Sequence, residues 1–510
     1  MRLFVRVSRR VNLSSYTRFG HTFGPDWSEL PDADTSLYAE LSEDQSLEVR
    51  LDQQDIPADI KLAPVVRDLV GGGYYVDGEA VGLVSAMRNE VTGGFGISAD
   101  GADITGLLRE PSVRMAAFGD SISNQCSSVG SVNFNGYAGW AVMLSGGAVT
   151  FDHSLNFGVV GQTTAQILAR VPDVIAVKPG ICVVLAGVND VAAGNINYST
   201  TTANLAAIYG ALTRAGIVVI AVPILPSATF SQALKQSCGR INSWISNYIR
   251  SIPLLYLANP IQNYVDYSAT GANLGDPIGG ATAAGTAYTY DGLHPNTRGA
   301  WAIGKAIADT LVRIVGQRKT QFLNPSDVWS ATTNPFGNLI SNGAMVGTSG
   351  AVSGTATGSV ATSWSVQGSG TCACSKGTRT LDNGATAETQ IITLGASSSA
   401  LIYQDLYNAA GSPVGANLAT EWDVGASSAV NMYEFYAKTS DASAALTAFF
   451  GGSGANNYFP TVIPSGVMRV PTFTVIDASL VRCQMRIATA AGGSATIVVN
   501  GAGLRPEFVF

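Results

Sequence analysis

Over residues 113–316 the chain alternates between two textures. Short, continuously apolar runs at 115–118, 155–160, 181–185, 217–225 and 254–257 are separated by helix-period segments at 163–176, 201–215 and 231–249. A strand that is apolar at every position buries both of its faces, and helices between such strands supply the crossovers of a parallel sheet. The spacing predicts an α/β domain over 113–318, with helices on both faces of the sheet. Residues 297–315 close it as a helix, because Trp301, Ile303, Ile307, Leu311 and Ile314 fall on one stripe. The longest apolar run is far below the roughly 18 to 20 residues that cross a bilayer, so no membrane span is expected.

The flanks read differently. Residues 1–70 hold 20 of the chain's charged residues, against 45 in the remaining 440, and form a separate small α+β module. Within it, 3–7 alternates as a strand, and 36–52 runs from a polar helical stretch into the strand-like Leu47, Val49, Leu51 pattern. A Gly-rich β connector follows over 71–112, with Gly71, Gly72, Gly73, Gly93, Gly94 and Gly96. After a linker at 319–336, residues 337–510 show short runs at 362–366, 388–394, 401–406 and 472–476 between Gly/Ser/Ala/Asn turns, which predicts a β-sandwich or jelly-roll domain. The alternative for the Ser/Thr/Gly/Ala stretch at 347–362 is a disordered linker.

Charge and cysteine usage remove several function classes. A net charge of −7 and a pI near 5.1 oppose a nucleic-acid partner. Arg2, Arg6, Arg9 and Arg10 interrupt the apolar core that a secretory signal needs, so ordinary secretion is not expected. Six thinly spread cysteines and three histidines, His21, His153 and His294, support neither a disulfide framework nor a zinc site. Cys372 and Cys374, with one residue between them, leave open a metal or a pairing with Cys483, but without further ligands the buried-thiol reading in the β-domain is preferred.

Four segments of the α/β region carry chemistry. Gly119-Asp120-Ser121-Ile122-Ser123 follows the first apolar run, placing Ser121 at the C-terminal end of a strand, where open α/β sheets bind ligands. It lacks the second Gly of a nucleophile elbow. Asn156-x-Gly158-x-x-Gly161-x-Thr163 and Gly187-Val188-Asn189-Asp190 also sit at strand ends, and Asp291-Gly292-Leu293-His294-Pro295-Asn296 precedes the closing helix. A serine needs a base to become a nucleophile, and the base needs an acceptor on its other ring nitrogen. Asp291, three residues before His294, can serve that acceptor role within one turn. The Ser121 and Gly161 N–H groups and the Asn189 amide suit an oxyanion hole. Each segment alone has a plain explanation as a turn or cap; together, in order, they supply nucleophile, donors and base. The P-loop spacing of Gly299-x-x-x-x-Gly304-Lys305 is set aside, because the segment is helix-periodic and Ala306 replaces the hydroxyl residue.

These four segments resemble the SGNH (GDSL-type) hydrolases over roughly residues 113–318. The resemblance implies a flavodoxin-like three-layer fold, a Ser121/His294/Asp291 triad, an oxyanion hole from Ser121, Gly161 and Asn189, and ester hydrolysis through an acyl-enzyme, with no metal or organic cofactor. Ile122 stands where the family name has Leu. The triad does not choose the substrate. Residues 261–290 place Tyr264, Tyr267, Tyr288 and Tyr290 among small residues, a composition that suits stacking on sugar rings as well as a packed loop, with Tyr288 and Tyr290 taken as substrate-binding residues. The segment starting Asn338-Leu339-Ile340-Ser341-Asn342-Gly343 is similar to openings of jelly-roll carbohydrate-binding modules, and parts of 6–49 resemble a small structural protein of Mu-like tailed phages.

The reading that follows is a phage tail-fibre or tailspike esterase, located on the virion or outside the cell. It would deacetylate an O-acetylated cell-surface glycan, contact other virion tail proteins through its N-terminal module, and assemble as a homotrimer. A bacterial extracellular carbohydrate or lipid esterase, and a receptor-binding adhesin with an inactive hydrolase scaffold, are the alternatives.

Overall fold

The computed structural model describes eight short strands in the first eighty residues, and then residues 114–316 and 328–507 apart from the segments 129–130, 193–196, 281–286, 331, 335–336, 382–383, 408–416, 427–431, 440–448, 451–462, 475–479 and 490–492. The chain divides into two compact units, residues 1–111 and 112–509. In the first unit, Arg2–Val7 pairs antiparallel with Leu47–Asp52 on one side and Ser28–Leu30 on the other. Both strands expected there are present; the helical stretch expected from residue 36 and the glycines at 93–96 lie outside the described residues. A second antiparallel set joins Val65–Arg67, Tyr74–Val76 and Glu79–Ala80.

The second unit opens with the α/β domain. Its five parallel strands are β1 (Met115–Gly119), β2 (Asn156–Gly158), β3 (Ile181–Leu185), β4 (Val218–Val222) and β5 (Leu255–Leu257), in spatial order β2-β1-β3-β4-β5. This is the flavodoxin-like order. Every residue of β1, β3 and β4 is buried, as the unbroken apolar runs require. Helices α1 (Ser121–Asn124), α2 (Tyr137–Leu144), α3 (Thr164–Ala169), α4 (Val171–Ala176), α5 (Val188–Ala192), α6 (Tyr198–Arg214), α7 (Gln232–Tyr248), α8 (Ile261–Tyr264) and α9 (Thr297–Val315) connect and cover them.

Two departures from the sequence pattern have local causes. The single helix expected over 163–176 is two helices that meet at Arg170, where φ is −100° and ψ is 4°. Pro172 has no N–H to offer the carbonyl of Leu168, and its ring crowds that carbonyl, so the first helix stops and the second begins with Pro172 in its first turn. Helix α2 was not visible in the sequence because seven of its eight residues are buried, so it has no polar face to create a period. No helix among the described residues is long and apolar enough to cross a membrane.

The C-terminal region is an antiparallel sheet curled on itself. Its strands are β6 (Ser349–Gly358), β7 (Val360–Thr380), β8 (Thr386–Leu394), β9 (Ser399–Tyr407), β10 (Asn417–Ala426), β11 (Met432–Thr439), β12 (Ile463–Thr474), β13 (Leu480–Ala488) and β14 (Ala495–Glu507). They run β11-β13-β9-β7-β8-β14-β10-β12, with β6 beside β7 in the one parallel pairing of the set. Strand β7 turns the sheet: its 365–369 portion pairs with β9 and its 372–380 portion with β8. The halves close on a core in which Trp422 of β10 lies 5.5 Å from Trp364 of β7 and 6.3 Å from Phe435 of β11. Residues 349–358 are therefore strand, not disordered linker, because their small side chains let β6 lie against β7. Cys372, Cys374 and Cys483 are buried free thiols in this sheet.

Sheet and α/β domain interlock within the unit. Ser131–Val132, in the segment that follows α1, pairs in parallel with Phe449–Phe450. Gly466 of β12 lies so close to α2 that a Cβ there would stand 2.6 Å from the carbonyl oxygen of Met143.

Candidate active site

Ser121 is the first residue of α1, directly beyond the end of β1. The turn is shaped by Asp120, whose Oδ1 accepts the Ile122 N–H at 3.0 Å and caps the helix. Ser121 is 8% exposed, so its hydroxyl is reachable yet largely shielded from bulk water. From 173 residues away, His294 Nε2 comes to 2.9 Å from Ser121 Oγ. His294 Nδ1 lies 2.7 Å from Asp291 Oδ2, so the Nδ1–H donates to the carboxylate and Nε2 is left to accept from the serine.

The Asp291 carboxylate is also held by the backbone, its Oδ1 accepting from His294 N at 2.7 Å and from Leu293 N at 3.0 Å. Partial burial pushes its pKa up, but the hydrogen bonds from the His294 ring and these two N–H groups prevail, leaving it below the usual carboxylate value. Four consecutive residues thus place base and orienting carboxylate as one preassembled turn. Tyr290 stacks on the imidazole, with ring centroids 5.7 Å apart and planes 15° from parallel. Gln125, the residue after α1, donates at 3.4 Å to both the Tyr290 hydroxyl and the Pro295 carbonyl, bracing the serine helix against the base turn.

The three oxyanion-hole candidates occupy neighbouring strand ends. The Ser121 N–H is at the start of α1. Gly161 lies in the turn after β2 with φ of +76°, a left-handed conformation that a side chain would strain. Asn189 is in α5, directly after β3, and its Nδ2 donates to the Gln162 carbonyl at 2.9 Å, tying α5 to the Gly161 turn. Next to it, buried Asp190 accepts from the Thr164 N–H at 2.8 Å and the Thr164 hydroxyl at 2.5 Å, and from the Thr201 hydroxyl at 3.3 Å. Asp120 is entirely buried, and its Oδ2 has no hydrogen-bond partner among the described residues. Desolvation, reinforced by the Asp190 carboxylate and opposed by the Ile122 N–H, raises its pKa to about 7.

The remaining sequence candidates separate. Tyr288 is half-buried, edge-on to the fully buried Tyr264 at 5.6 Å, and Tyr290 is engaged by His294. Of the four tyrosines at 261–290, Tyr267 is the one classed as exposed, at 69%. Its loop is pinned by Lys235 of α7, whose ammonium pairs with Asp276 and donates to the carbonyls of Ala272 at 2.9 Å and Leu274 at 3.3 Å. His153 is exposed and bonded through Nδ1 to the Ser127 hydroxyl at 3.0 Å; the side chain of His21 lies outside the described residues. Gly299–Lys305 lies within α9 and is no phosphate loop. Sequence reasoning missed Gln125 and also Arg170, whose guanidinium donates to the Gly119 and Phe157 carbonyls at the ends of β1 and β2. The one available signal for Arg170 is that it is the only charged residue between Asp152 and Asp173.

Residues 117–302 match the GDSL-like lipase/acylhydrolase family, and this segment is an SGNH-type domain within the longer chain. Among solved structures, the chain is similar to a GDSL-like lipase from Bacteroides thetaiotaomicron, at 24% identity over 40% of this chain and 89% of that one, with a TM-score of 0.30. It is also similar to a carbohydrate esterase family 3 protein from Talaromyces cellulolyticus, at 17% identity over 40% of this chain and 99% of that one, with a TM-score of 0.28. No curated protein matches the chain.

Proposed function

We propose that the α/β domain hydrolyses a carboxylic ester through an acyl-serine intermediate, and that its natural substrate is an O-acetylated bacterial surface polysaccharide. The observation that carries this reading is the unbroken line from Ser121 Oγ to His294 Nε2 at 2.9 Å and from His294 Nδ1 to Asp291 at 2.7 Å. Ser121 attacks the ester carbonyl while His294 takes its proton, and Asp291 stabilises the imidazolium without itself being protonated. The N–H groups of Ser121 and Gly161 and the Asn189 amide receive the negative charge on the carbonyl oxygen. Collapse breaks the ester bond; His294 returns the proton to the departing alcohol. Water, activated by the same imidazole, then releases the acid and restores the serine.

The glycan part of the reading is supported by Tyr267, whose exposed ring on a loop pinned by Lys235 is a fitting platform for a sugar face, and by the curled sheet packed against the same domain. A tail fibre or tailspike is the setting in which we place it, with the sheet as a glycan-binding or assembly element. The test is acetate release, followed by proton NMR, from a panel of native O-acetylated polysaccharides and from a small aryl acetate, with wild type beside Ser121→Ala. Acetate from polysaccharide with wild type alone is the expected result. Turnover of the aryl acetate alone would retain the esterase and remove the glycan; turnover undiminished in Ser121→Ala would remove the esterase.

A further inference from the structure

Arg170 is the residue at which α3 and α4 part, and the break caused by Pro172 turns it out of either helix. Its guanidinium makes three hydrogen bonds to three separate segments: Nε to the Gln162 side-chain oxygen at 2.7 Å, one terminal nitrogen to the Phe157 carbonyl at 2.9 Å, and the other to the Gly119 carbonyl at 3.2 Å. It also lies over the Phe118 ring, 5.2 Å from its centroid. Gly119 is two residues before Ser121, Phe157 is in β2 ahead of the Gly161 turn, and Gln162 follows Gly161 and receives the Asn189 amide on its carbonyl. One planar cation therefore touches the segment that presents Ser121 and both sides of the Gly161 turn, and reaches Asn189 through Gln162.

Resting on the esterase reading above, we infer that Arg170 is a positioning residue that sets the spacing of the three oxyanion donors by joining the ends of β1 and β2 to the Gly161–Gln162 turn. The fork of a guanidinium can satisfy three acceptors in fixed directions at once, whereas an ammonium is a point charge and a thioether offers nothing. Oxyanion donors act on the transition state far more than on the bound ester, so their displacement lowers kcat and leaves KM nearly alone.

The test uses the full chain and a small aryl acetate, with kcat expressed per folded molecule from circular dichroism. Arg170→Met is expected to lose about 10- to 100-fold in kcat with KM within about threefold of wild type, since removing one donor outright typically costs about 10²- to 10³-fold. Arg170→Lys is expected to fall between the two, and millimolar guanidinium is expected to restore part of the kcat of Arg170→Ala while leaving wild type unchanged. A residue that only supports the fold would shift the melting temperature, without this kcat-specific loss and rescue. If Arg170→Met fails to fold, Gln162→Met decides, because it removes only the side-chain link; a several-fold lower kcat at an unchanged melting temperature supports the inference. A kcat within about twofold of wild type in Arg170→Met, or in Gln162→Met where that variant decides, overturns it. These failures differ from failure of the esterase reading, which would show as inert wild type or as full turnover by Ser121→Ala and would overturn both.

Discussion

At the level of single residues, Asp120 is the group whose titration carries a stability consequence. Its folded pKa of about 7 exceeds the ordinary 3.8, so between those values the native state keeps a proton that the unfolded chain has released. The native state binds more protons there, so stability falls as pH rises from about 4 to about 7 and then levels. Asp120→Asn keeps the acceptor for Ile122 and removes the titration; its melting temperature should be flatter across this window and at least equal to wild type at pH 8, as read by differential scanning calorimetry. Asp291 has the opposite sign: with a lowered folded pKa, its contribution is present above the ordinary value and is lost only as pH falls through the folded one. Asp291→Asn would leave the imidazole without its anionic partner, and stopped-assay kinetics should show kcat lower by roughly 10³- to 10⁴-fold. The sequence already displayed Ser121, Asp291 and His294, because a strand-end serine and a three-residue Asp–His spacing are local signals. Arg170 and Gln125 were hidden, because each bonds to groups on segments apart from its own in the chain, and no spacing encodes that.

Among elements, the loop before the base turn is held to α7 by a buried ion pair and by Gln232, whose side-chain amide donates to the Ala272 and Leu274 carbonyls at 2.9 Å. The Lys235 and Asp276 side chains are 9% and 8% exposed, and the ammonium also satisfies two loop carbonyls. Lys235→Met would leave the buried Asp276 carboxylate without its cation, while Gln232 still donates to both carbonyls, so a loss of about 3 to 5 kcal/mol is expected in urea unfolding. The strands and long amphipathic helices of the α/β domain were legible because burial on two faces, or on one stripe, writes a period into the chain. Helix α2 was not, since an element buried nearly all round has no period to read. Strand β6 was open to a linker reading because Ser, Gly, Ala and Thr serve a close strand pairing and a flexible tether alike, and only its partner β7 decides between them.

For the molecule as a whole, the curled sheet and the α/β domain belong to one compact unit. Their junction has little slack at Gly466, where any side chain meets the Met143 carbonyl. Gly466→Val should therefore split a single calorimetric transition into two, with the α/β domain melting first as α2 loses its cover; one unshifted transition would show that the junction is looser than its geometry. The pairing of Ser131–Val132 with Phe449–Phe450 spans more than 300 residues of chain. The serine, the base and all five parallel strands have been synthesised by residue 316, while the strand that borders the segment after the serine helix has not yet been made. The nascent domain thus has its serine and base in hand with one edge still open, and that edge closes only once residues 449–450 are made.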